Sequence, residues 1–298
     1  MGRDSRSAFE RSGLAAISDL RQEEWREVFG FLEREQQRFR EREGEFRSAE
    51  YRWPRDPLHE WSRVWEYPYA YEHLRTWRRG WDDKRLPVVA DVGSGVTFFP
   101  FAVAHLGCEV VCADIDPVCV KDMARAAACV SAAPGCVECR LAENGRLPYH
   151  DGEASAVYCI SVLEHVDGFE AMVRELGRIL APGGLCILTM DIGLRGGQHL
   201  SLDEYGEVRR RLEEVFELVQ PEGTIHPLDL LTTRTSTHPL PLPGIRKYRS
   251  WLKYAYRVYV QRMPTIQAAS CSLAVIGLVL RKRAMDGSDH AQGAVRRI

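Results

Sequence analysis

The chain has 298 residues, of which 45% are hydrophobic and 28% charged, and its formal net charge at pH 7 is -2. This length provides for about two domains, or for one large α/β domain with additions. The composition is that of a folded globular protein and excludes collagen-like, wholly disordered and disulfide-framework classes. Because basic and acidic residues nearly balance, no global field attracts a polyanion, and we expect no nucleic acid partner.

Hydropathy and cysteine spacing indicate neither a membrane span nor a metal site. The longest apolar run near the C-terminus, residues 273–280, has about half of the roughly 18 residues that a membrane-spanning helix requires, and the N-terminus lacks an apolar signal core. We therefore expect a cytoplasmic protein with no membrane partner. Cys136 and Cys139 form one CxxC, but no second pair completes a zinc set, so no metal is expected.

Residues 1–84 are predicted to form a helical N-terminal extension or cap. Ten arginines and twelve acidic residues among the first 50 positions are typical of a solvated helix. An apolar stripe recurs every seventh position: Trp25, Leu32, Phe39 and Phe46. The helix with this stripe either packs on the chain's own domain or is a homodimer-forming or lid helix. Residues 51–81 then hold five of the seven tryptophans, which suits a half-buried surface or the wall of a ligand site.

From residue 85 to 283 short apolar runs alternate with helical segments, which indicates a parallel sheet. Strands are predicted at 88–92, 109–113, 156–161, 185–190, 216–219 and 270–280. The proline-studded segment 220–269 precedes the last strand, and its length predicts a functional insertion that caps the substrate site. The polar tail 284–298 is predicted to be disordered.

A glycine-rich turn follows the first predicted strand. Gly93 and Gly95 lie between that strand and a predicted helix, and glycine permits a positive φ and a close approach of ligand to backbone amides. A pyrophosphate-binding GxGxxG would require a third glycine at position 98, where Phe98 stands. The turn therefore predicts a ligand site and weakens the dinucleotide interpretation.

Asp114 ends the second predicted strand, nineteen residues beyond Gly95. A carboxylate at this place accepts hydrogen bonds from the hydroxyl groups of a bound ribose, which predicts an adenosine-type ligand. The alternative is that Asp114 and Asp116 only cap the helix that follows.

Five segments in this order, over about one hundred residues, resemble the motifs of class I S-adenosylmethionine-dependent methyltransferases. They are Asp91-Val-Gly-Ser-Gly95, Cys112-Ala-Asp-Ile-Asp-Pro117, Arg140-Leu-Ala-Glu-Asn-Gly-Arg-Leu-Pro148, residues 151–161, and Leu163-Glu-His-Val166 with Arg178-Ile-Leu-Ala-Pro-Gly-Gly184. The resemblance implies an α/β fold with a Rossmann-like, seven-stranded, mostly parallel sheet and helices on both faces. It also implies S-adenosylmethionine as the cofactor.

The resemblance further implies which residues contact the cofactor. The glycine turn would face the methionine part, Asp114 would hold the ribose, Ile115 would pack on the adenine, and Ser161 would lie beside the sulfonium. The full implied set is Asp91, Gly93, Ser94, Gly95, Asp114, Ile115, Ala142, Glu143, Ile160, Ser161 and His165. Two positions depart from the family pattern: Thr97 replaces a glycine of the first motif, and Leu141 replaces an aspartate that often bonds the adenine.

Candidate catalytic groups should lie at the carboxyl ends of the strands, where open α/β sheets bind ligands. Asp191 follows the strand 185–190, and His199 lies on the loop after it. His165 is a third candidate, although the resemblance also places it beside the cofactor. A base is required only if the acceptor arrives protonated. The alternative is that these side chains cap loops.

These observations predict an enzyme that transfers a methyl group from S-adenosylmethionine to an O or N atom of a small organic molecule or a short peptide. Tyr67, Tyr69 and His226 are candidate substrate contacts, because they belong to the two segments predicted to enclose the site. Two alternatives stay open. A non-catalytic binding protein of the same fold would explain Thr97 and Leu141, and an NAD-dependent dehydrogenase would share the glycine turn and the acidic strand end.

Overall fold

The computed structural model describes residues 6–166, 168–194, 200–239 and 273–284, in which helices alternate with the strands of a large sheet. The helices are α1 (Glu23–Glu41), α2 (Glu43–Phe46), α3 (Arg63–Arg79), α4 (Phe99–Ala104), α5 (Pro117–Cys129), α6 (Phe169–Ile179) and α7 (Leu202–Val215). The strands are β1 (Gly13–Leu14), β2 (Val88–Val92), β3 (Glu109–Asp114), β4 (Cys136–Leu141), β5 (Ala154–Ile160), β6 (Leu180–Gly193), β7 (Leu200–Ser201), β8 (Phe216–Leu218) and β9 (Leu273–Lys282). Within these ranges each helix is too short or too polar to span a bilayer.

Seven strands lie side by side in the order β1-β9-β6-β5-β2-β3-β4. The strands from β6 to β4 pair in parallel, and β9 is antiparallel to β6. The short strands β7 and β8 pair with β6 and β9 outside this row, so the sheet has nine strands rather than the predicted seven. The Rossmann-like prediction is confirmed. The chain runs outward from β2 through β3 to β4 and then returns to β5 on the other side of β2, which makes the β2/β5 boundary the switch point of the sheet.

Helices cover both faces of the sheet and form two apolar cores. One core lies between the sheet and helices α1 to α5, and its largest buried side chains include Trp25, Trp65 and Tyr69. The other lies between the sheet and helices α6 and α7, around residues such as Val173 and Leu212. Successive strand residues point alternately into the two cores, as expected for a sheet covered on both sides.

The N-terminal extension is joined to the sheet rather than lying on it as a separate unit. Its strand β1 pairs antiparallel with β9, with Gly13 opposite Gly277. The seventh-residue stripe of α1 and α2 is buried inside the same chain, with Trp25 stacked on Trp65 and Phe39 against Phe101. Of the two interpretations of this stripe, the structure therefore supports packing on its own domain.

Some predicted features lie outside the described residues. Of the predicted cap 220–269, only residues 220–239 are described, and the predicted tail is described only at residue 284. His199 also lies outside the described ranges. The described part of the cap packs against the N-terminal segment, where the Asp229 carboxylate accepts hydrogen bonds from the Ser18 hydroxyl and amide at 2.6 and 3.0 Å.

A buried ion pair anchors the N-terminal segment. The Arg11 and Asp19 side chains are only 2% and 3% exposed, and Arg11 Nη2 lies 2.6 Å from Asp19 Oδ2. The same carboxylate oxygen accepts hydrogen bonds from the Trp65 indole N–H at 2.8 Å and from the Ala16 amide at 2.9 Å. Asp19 therefore joins the segment next to β1 to helix α3.

Replacing Asp19 with alanine should destabilise the fold strongly, because it leaves the Arg11 guanidinium as an unpaired buried charge. We expect the free energy of unfolding to fall by about 3–5 kcal/mol, measured by urea denaturation. Asp151→Ala is the matched control, since Asp151 pairs with Arg178 at 3.0 Å but is 77% exposed. This control should lose about 1 kcal/mol or less, and equal losses in the two variants would contradict the anchoring role of Asp19.

Candidate functional site

A cleft of about 340 Å³ opens at the carboxyl ends of β2, β3 and β5, beside the switch point of the sheet. Open α/β sheets bind their ligands at this place, because the strand ends diverge there and leave a crevice. Five aromatic side chains line the cleft: Tyr51, Trp53, Tyr67, Phe99 and Tyr158. Three of them come from the N-terminal extension, so the aromatic segment combines packing with a role in the wall of a site.

The glycine turn forms one side of the cleft. Gly93 and Gly95 have φ values of +76° and +56°, which favour glycine. A Cβ added at Gly93 would lie 2.4 Å from Val162 Cγ2, so no other residue fits there without displacing the turn after β5. The Gly93 amide donates to the Ala113 carbonyl at 2.8 Å and thereby fixes the turn against β3.

Asp114 lies next to this turn and lines the cleft. Its Oδ2 accepts from the Gly95 amide and its Oδ1 from the Asp116 amide, both at 2.8 Å. Burial raises the pKa of the Asp114 carboxyl. Asp116 performs the capping task instead, because its side chain accepts from the Val118 amide at the start of α5. Asp116 therefore caps α5, whereas the Asp114 carboxylate can still accept hydrogen bonds from a ligand in the cleft.

Asp91, the last acid on β2, lies at the bottom of the cleft and is 4% exposed. Burial, followed by the nearby charge of Asp114, raises the pKa of the Asp91 carboxyl to about 8. Burial in the cleft therefore favours the protonated form of this carboxyl. A cationic group beside it would favour its ionised form.

A network of charged and hydroxyl side chains connects α3 to the ends of β5 and β6. The Glu66 carboxylate is fully buried and forms an ion pair with Arg63. Glu66 Oε1 accepts from the hydroxyls of Ser161 and Thr189, each at 2.6 Å. Arg63 Nη1 donates to Ser161 Oγ at 2.6 Å. These bonds hold Ser161, whose φ is +49°, in a conformation that costs a non-glycine residue about 1–3 kcal/mol.

Two further acids lie next to this network. Asp191 is 8% exposed at the end of β6, and its amide donates to Glu164 Oε1 at 2.9 Å. Asp191 Oδ1 and Glu164 Oε2 are buried and have no hydrogen-bond partner within the described part of the chain. Burial raises the pKa of Glu164 to about 7, and burial with the charges of Glu66 and Glu164 raises the pKa of Asp191 well above its ordinary value.

The other residues implied as cofactor contacts are divided between the cleft and its surroundings. Ser94, Ile160 and His165 line the cleft, as does Ile115, which is 82% exposed at its mouth. The Ala142 amide donates to the Asp114 carbonyl at 2.9 Å, so this residue lies beside the site. Glu143 lines a neighbouring surface depression instead of the cleft.

Of the three candidate substrate contacts, only Tyr67 lines the cleft. Tyr69 is fully buried, stacks on Trp65, and donates its hydroxyl to the Arg11 carbonyl at 3.1 Å. It lies on the other side of α3, so its assignment as a substrate contact is corrected to a core role. His226 is exposed, accepts from the Leu228 amide, and lines a different pocket.

No role was predicted from the sequence for Arg63, Glu66 or Glu164. The sequence contains a signal that Glu66 is buried, because the residues on either side of this acid are aromatic. An acid in such surroundings is buried only when it is paired. Glu164 belongs to the quoted Leu163-Glu-His-Val166 motif, but no local pattern assigns it a task. Among the described residues, no three His, Cys, Asp or Glu side chains are grouped as metal ligands.

The central part of the chain is similar to a known protein family. Residues 90–188 match the family model described as a methyltransferase domain. An uncharacterized methyltransferase of Mycobacterium sp. (strain JLS) is 34% identical over 119 residues, which are 39% of this chain and 44% of that protein. The ubiquinone biosynthesis O-methyltransferase of Xanthomonas oryzae pv. oryzae (strain PXO99A) is 34% identical over 102 residues, 34% of this chain and 41% of that protein. The chain thus matches less than half the length of these relatives.

Solved structures resemble the chain at low sequence identity. One is geranyl diphosphate C-methyltransferase from Streptomyces coelicolor A3(2) in complex with Mg²⁺, geranyl diphosphate and S-adenosyl-L-homocysteine. It aligns with a TM-score of 0.46 and 15% identity, over 72% of this chain and 78% of that one.

Gly93→Ala should destabilise the fold more than an alanine at another glycine with a similar backbone. Gly145 is the matched control, since its φ is +71° and no atom lies within 4 Å of an added Cβ. The left-handed backbone conformation should lower the free energy of unfolding of both variants by roughly 1–2 kcal/mol. At Gly93 the contact with Val162 should lower it by about 1–3 kcal/mol more. Urea denaturation measures the difference, and equal losses would contradict the tight packing of the turn.

Asp91→Asn should change how stability depends on pH. Because its folded pKa of about 8 lies above the ordinary value of 3.8, Asp91 contributes stability that is fully present below the ordinary value. That contribution is lost as pH rises through about 8. The wild type should therefore lose more unfolding free energy than Asp91→Asn between pH 5 and pH 9. Thermal unfolding at both pH values tests this, with Asp151→Asn as the exposed control; a pH-independent difference would contradict it.

Proposed function

We propose that this chain, a class I S-adenosylmethionine-dependent methyltransferase by the family that residues 90–188 match, methylates an O or N atom of a small organic molecule or a short peptide. The observation that carries the proposal is the arrangement of the cleft. A glycine turn, a strand-end acid and an aromatic wall meet at the carboxyl edge of the sheet, beside its switch point. The family match favours methyl transfer over hydride transfer, and the buried Phe98 stands where a dinucleotide site needs a third glycine.

The residues of the cleft fit S-adenosylmethionine. Asp114 has free acceptor capacity for the ribose hydroxyls, and Gly93 leaves no room for a side chain where the backbone must approach the ligand. Asp91 would face the amino group of the methionine part, whose positive charge favours the ionised carboxylate. Ile115, exposed at the mouth of the cleft, would gain an apolar partner by packing on the adenine. When bound, the cofactor supplies a methyl carbon that is activated by its positively charged sulfur.

The chain's own contribution is to position the reactants and to exclude water. Ile160 ends β5 at the inner part of the cleft, and Ser161 follows it. The Ser161 hydroxyl accepts from Arg63, which is paired with Glu66. Aligning two reactants in this way lowers the activation free energy by up to roughly 7–11 kcal/mol in favourable intramolecular reactions. The aromatic rings of Tyr67, Tyr158 and Phe99 make the inner walls apolar, which disfavours water beside the reacting atoms.

The size of the cleft supports a small acceptor. The cleft has a volume of about 340 Å³, at the lower end of the roughly 300–1,000 Å³ of small-molecule sites, and it must hold the cofactor as well as the reacting part of the acceptor. Its aromatic walls supply apolar contact, while Arg63 and Glu60 add charged groups to the lining. Asp191 and His165 are the groups proposed to accept a proton from an acceptor that arrives protonated, because His165 lines the cleft and Asp191 lies beside it at the end of β6, where its amide bonds to Glu164.

Asp114→Ala should weaken the binding of S-adenosylhomocysteine at least tenfold, or about 1.4 kcal/mol, because the ribose loses its acceptor. Isothermal titration calorimetry measures the affinity. Asp116→Ala is the matched control, since this side chain caps α5. The control should keep its affinity and lose about 1 kcal/mol of stability.

This experiment also tests the proposed function. Absence of binding by folded wild-type protein, for both S-adenosylmethionine and S-adenosylhomocysteine, would reject it. Equal loss of affinity in the Asp114 and Asp116 variants would contradict the ribose assignment. Binding without methyl transfer from labelled cofactor to any small-molecule pool would favour a non-catalytic binding protein of the same fold.

A further inference from the structure

We propose that the methyl acceptor is a basic amine that binds as an ammonium ion between Asp191 and Glu164, with Asp191 taking up its proton before transfer. This inference rests on the proposed function and specifies its substrate class. It concerns the part of the site formed by α3, the turn after β5 and the end of β6.

Strand register places Asp191 on the side of the sheet that faces the cleft. Thr189 and Asp191 are two residues apart on β6, so their side chains point to the same face. The Thr189 hydroxyl reaches Glu66 of α3 at 2.6 Å, which identifies that face as the one covered by the N-terminal extension. Thr189 also pairs with Ile160, which lines the cleft. Asp191 therefore lies on the same face as Thr189, two residues further along β6 from the inner wall of the cleft.

The two acids have unused hydrogen-bonding capacity. The Asp191 amide donates to one oxygen of Glu164, which brings the two residues together. The buried oxygens Asp191 Oδ1 and Glu164 Oε2 have no partner in the described ranges. A buried polar atom left in this state costs roughly 1–3 kcal/mol. An ammonium group has three N–H donors and no acceptor, so it would satisfy both oxygens at once.

The charge of the surroundings selects a cation. The charged groups that act on Asp191 are Glu60, Arg63 and Glu66 from the N-terminal extension and Glu164 from the turn after β5. With Asp191 itself, this group contains four carboxyls and one guanidinium. Glu66 already pairs with Arg63, so the remaining carboxyls are the ones that a ligand can meet. A carboxylate or phosphate acceptor would add like charge, whereas an ammonium ion offsets it.

The proton balance of the reaction follows from this arrangement. An ammonium ion has no lone pair, so it must lose one proton before it can react, and ionised Asp191 accepts it. The nitrogen lone pair then forms the N–C bond as the S–CH₃ bond breaks and its electron pair moves to sulfur. The methylated product leaves as an ammonium ion while the accepted proton stays on Asp191, so the one proton that each turnover releases to water is the one displaced from Asp191 when the substrate ammonium ion binds. Burial raises the pKa of Asp191, which suits it to accept the proton of an ammonium ion.

The test uses the full chain saturated with S-adenosylhomocysteine and three probes of matched shape: benzylamine, benzyl alcohol and benzoate. Isothermal titration calorimetry should show that benzylamine binds about tenfold more tightly than either of the others. Asp191→Asn should reduce this preference to about threefold or less, because an amide is a weaker acceptor and carries no charge. Asp151→Asn, at an exposed position, should leave it unchanged.

Proton release gives a second readout that a structural role for Asp191 would not produce. Because burial raises the pKa of Asp191 and a neighbouring ammonium ion favours its ionised form, binding of the ammonium ion should release a proton. Titrations in two buffers of different ionisation enthalpy measure this, and Asp191→Asn should abolish it. If that variant does not fold, Glu164→Gln should lower the benzylamine preference in the same assay.

The outcomes separate this inference from the proposed function. Failure of S-adenosylhomocysteine to bind in the first step would overturn the proposed function itself. Normal binding of S-adenosylhomocysteine with no measurable benzylamine binding, or with benzyl alcohol or benzoate bound as tightly, would overturn the amine inference alone. A benzylamine preference that survives in both Asp191→Asn and Glu164→Gln would also overturn it.

Discussion

The site depends on one buried carboxylate. Glu66 lies on α3, far in sequence from the sheet strands, and accepts hydrogen bonds from hydroxyls at the ends of β5 and β6 while pairing with Arg63. A buried acid is stable only when its charge and lone pairs are satisfied, and here three donors satisfy them. The bonds fix helix α3 over the strand ends and give the cleft its aromatic wall. The N-terminal extension and the Rossmann-like sheet therefore form one functional unit.

Buried acids form two groups, one that lines the cleft and one that lies beside it. Asp91 and Asp114 lie at the ends of β2 and β3, next to the glycine turn, where the proposed cofactor carries its amino group and ribose. Glu164 and Asp191 lie beyond Ser161, on the side of β6. Burial raises the pKa of Asp91 in the first group and of Asp191 in the second. A hydrogen-bond donor or a cation that binds beside either carboxyl would favour its ionised form. Ser161, held by Arg63 and Glu66, marks the boundary where the methyl group would pass.

Local patterns in the sequence predicted the parts of the fold that local chemistry determines. The strand predicted at 88–92 has the observed bounds, and the glycine turn adopts the positive φ values that its composition requires. Contacts between distant segments could not be predicted in this way. Glu66 meets Ser161 and Thr189 across 95 and 123 residues, and β1 has only two residues. Tyr67 and Tyr69 were indistinguishable in sequence, because the side of α3 that faces the cleft depends on how the helix packs.

A crystal structure of the chain with S-adenosylhomocysteine bound is the most direct test of the proposed site. We predict that the ribose hydroxyls lie on the Asp114 carboxylate, that the methionine part lies along the Gly93 to Gly95 turn, and that the sulfur faces Ser161. The open space beside the sulfur should then lead toward Asp191 and Glu164. A nucleoside bound elsewhere on the molecule, or a cleft filled by the protein's own side chains in the presence of saturating ligand, would contradict the account.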